Sequence, residues 1–258
     1  MSNKLALHEV FTISGIPKVT FVKPEEYPRL LMALKTPGRG IVVEGPSGIG
    51  KTTAITKALE EVGITDKITK LSARKSDDLA LIKELPKMQP LGTVLIDDFH
   101  KLPDTEKRQI ADLMKVLADE GRAESKVIAI GINRAGEALI DFADDLTNRL
   151  ETIPFESNPD RRISEILRLG EDALNITLNI REEIIEAANG SFYLAQMLAY
   201  HTCLDAGVLE SRPSRDTTTI SFPDVKARVF ETLARKFQAR TQDFAKGSRL
   251  RREGRAPY

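Results

Sequence analysis

Gly40-Ile41-Val42-Val43-Glu44-Gly45-Pro46-Ser47-Gly48-Ile49-Gly50-Lys51-Thr52 is the stretch that decides the fold. A short β-branched run breaks into closely spaced glycines and a lysine, and a helical pattern, Thr52–Glu61, follows at once. A chain that leaves a strand, curls tightly and enters a helix aims several backbone N–H groups and the positive end of the helix at one point. That geometry cradles phosphate. Gly45, Pro46, Ser47, Gly48, Ile49, Gly50, Lys51 and Thr52 match the G-x-x-x-x-G-K-[ST] phosphate loop, and Thr53 completes the expected binding set. In this reading Lys51 bridges the β and γ phosphates and the Thr52 hydroxyl ligates Mg²⁺, so the expected ligands are ATP and Mg²⁺.

Outward from the loop, β-branched runs alternate with helical patterns, as in repeated βα units. The pattern predicts strands near 40–44, 67–72, 92–97, 126–132 and 151–155, hence an α/β core built on a parallel five-stranded sheet. Thr105–Glu120 carries Ile110, Leu113, Met114 and Leu117 at the spacing of a helix with one buried stripe. After Phe155 the pattern turns helical. Asn158 and Pro159 suit the start of a first helix, Asn179 with Glu182 suits a capping box on a second, and Asn189-Gly190 suits its end. Ser191 would cap a third helix with Leu194, Met197 and Leu198 on one face. Residues 208–221 read as a loop, and a last amphipathic helix runs from Pro223 to about Phe244. The expected division is therefore 1–156 for the N-terminal segment and core, 157–207 for a C-terminal helical lid, and 208–258 for linker, helix and tail.

Thr93-Val94-Leu95-Ile96-Asp97-Asp98 is a buried strand ending in two carboxylates, and parallel sheets present their ligands at that end. Asp97 would hold the Mg²⁺, and Asp98 would orient or deprotonate the attacking water. Asn133, after the next strand, reads either as a ligand of the γ phosphate or water or as a turn residue. Arg149, just before the last strand, either complements a helix C-terminus or reaches the nucleotide of a neighbouring subunit. His100 and the pair His201 and Cys203 read as incidental or packing residues.

Composition narrows the class. Of 258 residues 41% are apolar and 29% charged, and cations and acids balance at 38 each, so no global basic field argues for nucleic acid. The tail alone is basic, with Lys246, Arg249, Arg251, Arg252 and Arg255 against Glu253; nucleic-acid contact or a solvated end both fit. One cysteine and no signal-like or bilayer-length apolar run point to the cytoplasm and away from membranes. The abrupt end at Pro257-Tyr258 is what a piece of a longer protein would show.

The order Gly45–Thr52, Ile96-Asp97-Asp98, Asn133, then Arg149 before a strand and a helical segment resembles the AAA+ ATPases and their STAND and origin-recognition relatives, over about residues 20–206. The resemblance implies a P-loop ATPase that hydrolyses ATP to drive conformational or assembly change, a homo-oligomer, Arg149 acting in trans, and adenine held near Ile16–Pro24. Two departures matter. Asp98 stands where AAA+ members usually have Glu, and Tyr193 stands where their lid often has Arg. These fit a STAND-like nucleotide-gated switch with little turnover, in which Arg134 replaces Asn133; a small-molecule kinase is the third reading.

Overall fold

A computed structural model describes residues 4–64, 68–88, 90–132 and 148–245, with side chains through residue 235. Strands β1 (Gly40–Glu44), β2 (Ile68–Ser72), β3 (Gly92–Asp97), β4 (Ser125–Ile130) and β5 (Leu150–Pro154) form one parallel sheet in the order β2-β3-β4-β1-β5. Each lies within two residues of its predicted limits. After the single turn α1 (Leu7–Val10), the helices of this region are α2 (Tyr27–Lys35), α3 (Lys51–Glu61), α4 (Ser76–Glu84) and α5 (Asp104–Asp119). The register sets Gly40 beside Leu150 and Glu44 beside Pro154, and Val43 beside Ile130. The C-terminal ends of all five strands thus share one edge.

Period-two alternation explains the two cores. Val42 faces a cluster with Ile96, Ile110 and Met114, whereas its neighbours Ile41 and Val43 face another with Leu30, Ile55 and Leu59. A sheet covered on both sides needs continuous apolar strands, which is why β1 reads Ile-Val-Val instead of alternating with polar residues. Lys126 is the exception. It is 6% exposed within β4, and its ammonium donates to the carbonyls of Ala33, Thr36 and Arg39, at and just beyond the end of α2.

The chain divides into two compact units. The first comprises Phe21–Ile163 with Asn189–Tyr193 and holds the sheet. The second comprises the described parts of Met1–Thr20, Ser164–Ala188 and Leu194–Tyr258. The remaining helices are α6 (Asp160–Leu174), α7 (Arg181–Ala188), α8 (Phe192–Asp205) and α9 (Phe222–Ala245). Between them lies a two-residue parallel pair, β6 (Ile176–Thr177) with β7 (Asp216–Thr217), of which β7 falls inside what the sequence reads as a plain loop.

Asn179 does not cap α7. Its amide accepts from Thr218 Oγ1 and the Ile220 N–H and donates to the Ile220 carbonyl, so it binds the strand-pair loop, and α7 begins two residues later. Nor does α8 carry a single stripe: Ala195 through Ala199, Thr202 and Cys203 are all buried, which surrounds the helix with core. Burial pushes the Cys203 thiol up to about 12, as befits a packing residue.

Gly170 lies where α6 meets Phe11. A Cβ there would sit 2.0 Å from the Phe11 ring, and Phe11 is fully buried. Alanine favours a helix over glycine by about 1 kcal/mol, but overpacking costs about 1–3 kcal/mol, more where a buried ring must move. Gly170→Ala is therefore expected to lose about 2 kcal/mol net in urea unfolding. Unchanged stability would mean that Phe11 moves aside at little cost.

Candidate nucleotide site

The loop between β1 and α3 is shaped by close approach. Gly45, at φ +141°, has the Phe155 carbonyl oxygen 2.2 Å from where a Cβ would stand, and Gly50, at φ +101°, turns the chain into α3. Lys51, the first residue of α3, is 9% exposed, and its ammonium donates to the carbonyls of Gly45 and Pro46 at 2.7 Å each. Burial lowers its pKa and the nearby Asp97 and Asp98 oppose that shift. A buried cation that bonds, among the described residues, to neutral carbonyls beside a loop of N–H groups is set to receive an anion.

Across the edge, β3 delivers the acidic pair. Thr52 Oγ1 lies 3.4 Å from Asp97 Oδ2, and Asp97 Oδ1 accepts the Asp98 N–H at 2.7 Å. Asp98 adopts a left-handed backbone, φ +56° and ψ +33°, which costs a non-glycine residue roughly 1 kcal/mol. Its side chain caps no helix. Arg74, two residues beyond β2, grips it from both sides: Nη2 donates to Oδ1 at 2.6 Å and Nε donates to Oδ2. Partial burial pushes the Asp98 carboxyl up, but Arg74, with Lys101 and His100, outweighs it and holds the group below the usual carboxylate range. The arginine came from no motif, yet residues just past a parallel strand face the same edge, and that rule alone would have flagged it.

His100 follows in the short turn Phe99–Lys101, and its Nδ1 accepts the Ile132 N–H at a long 3.4 Å. Asn133 and Arg134 lie outside the described residues. Arg149 stands at the opposite edge, where its carbonyl accepts the Gly40 N–H and its guanidinium pairs with Asp119 at the end of α5. The sheet between is five residues deep at β1, about 17 Å. Arg149 thus sits far from the phosphate loop of its own chain.

The donors present fit Mg²⁺. That ion takes few protein oxygens and completes its shell with phosphate and water, and Thr52 and Asp97 offer two hard oxygens beside the loop. Among the described residues no cluster of three or more His, Cys, Asp or Glu could hold a metal without such help.

Residues 41–155, from β1 to the end of β5, match the AAA family, the ATPases associated with various cellular activities. Over that stretch, somewhat less than half of the chain, the sequence is similar to the AAA family. The fold agrees with solved structures of low sequence identity. ORC1 of Aeropyrum pernix in complex with DNA gives a TM-score of 0.59 at 14% identity, covering 89% of this chain and 71% of that one. Cdc6p of Pyrobaculum aerophilum gives 0.56 at 17%, covering 80% and 67%. RuvB of Thermotoga maritima, titled a Holliday junction branch migration motor, gives 0.54 at 15%, covering 84% and 74%. No curated protein matches the chain by sequence. Among the described residues no helix is long and apolar enough to cross a membrane.

Proposed function

We propose that the chain carries an AAA-type ATPase domain that binds Mg-ATP on the Gly45–Thr53 loop and hydrolyses it to ADP and phosphate, using the energy for conformational or assembly change. The observation that carries this reading is the convergence of Lys51, Thr52, Asp97 and Asp98 on one sheet edge. Lys51 would neutralise the β and γ phosphates, while Thr52 and Asp97 would hold Mg²⁺, which supplies further charge neutralisation when bound. Asp98 would orient the attacking water, with Asn133 as a second polar ligand. The basic tail from Lys246 is proposed as a contact for nucleic-acid phosphates, and the compartment as the cytoplasm.

Arg149 would complete the site of a second copy, because it lies at the sheet edge opposite the loop. Mixing Arg149→Ala with Lys51→Ala subunits is then expected to restore part of the turnover that each lacks alone, since one interface regains both groups. A stable mixed oligomer without recovery would count against action in trans. The same proposal predicts phosphate release per subunit that climbs with protein concentration as the oligomer forms, checked by light scattering on the same samples; turnover flat across assembly would contradict it.

One observation favours the second reading, a nucleotide-gated switch with little turnover. Arg74 donates to both oxygens of Asp98 and so competes with water for the carboxylate. Arg74→Ala is accordingly expected to raise basal phosphate release about fivefold, equivalent to about 1 kcal/mol. A fall in release would mean that Arg74 presents Asp98 to water instead of withholding it.

A further inference from the structure

The phosphate loop is held from behind, and Asn158 is the centre of that hold. Asn158 is 6% exposed between β5 and α6, yet its side chain does not cap the helix as the sequence suggests. Its Nδ2 donates to the Gly190 carbonyl at 2.9 Å and, more weakly, to the Ile49 carbonyl at 3.4 Å. The backbone N–H of Asn158 also donates to Gly190, where a Cβ would lie 2.7 Å from Asn158 N and O, so only glycine fits. From the same short segment, the Tyr193 N–H donates to the Gly48 carbonyl at 3.1 Å, with Ser191 Oγ 3.4 Å from it.

In a planar trans peptide the C=O and the N–H of the next residue point in opposite directions. Fixing the Gly48 and Ile49 carbonyls on the outer side therefore turns the Ile49 and Gly50 N–H groups toward the inside of the loop, where phosphate oxygens would lie. We propose that Asn158 is a positioning residue for nucleotide phosphate: together with residues 190–193 it pre-sets the amides of the phosphate loop, so that binding need not order them. This inference rests on the nucleotide-site reading above and deepens it.

The test compares wild type with Asn158→Ser and Asn158→Asp in competition binding of ADP and of adenosine, with thermal unfolding of each variant in the absence of nucleotide. Aspartate keeps the shape but sets a carboxylate against two carbonyls; serine is the smaller, uncharged variant should aspartate fail to fold. The expected result is about tenfold weaker ADP binding, one hydrogen bond's worth, with adenosine affinity unchanged because adenosine has no phosphate to meet the loop. Folded variants that keep wild-type ADP affinity would overturn the proposal. So would equal losses for ADP and adenosine, which mark general loosening. If wild type itself binds neither ADP nor ATP, the nucleotide-site reading falls, and this inference with it.

Discussion

Replacing Lys51 with alanine is expected to weaken ATP binding by about 100-fold or more, which corresponds to roughly 3 kcal/mol. The residue is buried, among the described residues its ammonium bonds to the Gly45 and Pro46 carbonyls, and Asp97 and Asp98 stand across the edge on β3. In the bound state that desolvated cation would meet phosphate oxygens, where a charge-assisted contact is strongest. The fold should survive, because alanine favours a helix and the two carbonyls can turn to water at the loop. Fluorescent-nucleotide titration, with circular dichroism to check folding, measures this. Undiminished affinity would remove Lys51 from the site.

Asp98→Asn is expected to separate binding from chemistry. The proposed metal ligands Thr52 and Asp97 remain, so ATP affinity should stay within about threefold, while phosphate release should fall by about 100-fold or more, the usual worth of a positioned acid–base group. Asparagine nearly preserves shape but loses the charge that pairs with Arg74. The two substitutions are thus opposed: Arg74→Ala frees the carboxylate and Asp98→Asn removes its chemistry. Full turnover in Asp98→Asn would assign the water to another group.

The core was legible because its signals are local. Ile41–Val43, Val94–Ile96 and Val127–Ile130 are apolar runs bounded by glycine or polar residues, and the Gly45–Thr52 spacing follows from what a phosphate loop must do. Residues whose partners lie far along the chain were not. Arg74 meets Asp98 across 24 positions, Lys126 meets the end of α2 across about 90, and Asn158 meets Gly190 across 32. Asn158 and Asn179 misled for one reason: a side-chain amide beside a helix start satisfies either the local N–H groups or distant carbonyls, and local sequence cannot rank the two. Each helix begins two residues after its asparagine, and each amide finds its partners elsewhere. Gly170 carries no motif at all; its role exists only because Phe11 packs against it.

The most direct test of the account is calorimetric titration of the wild-type chain with ATP, in the presence and absence of Mg²⁺. A loop that holds phosphate beside Thr52 and Asp97 predicts saturable binding of one ATP per chain, tightened by Mg²⁺. No saturable binding, or binding indifferent to Mg²⁺, would contradict it.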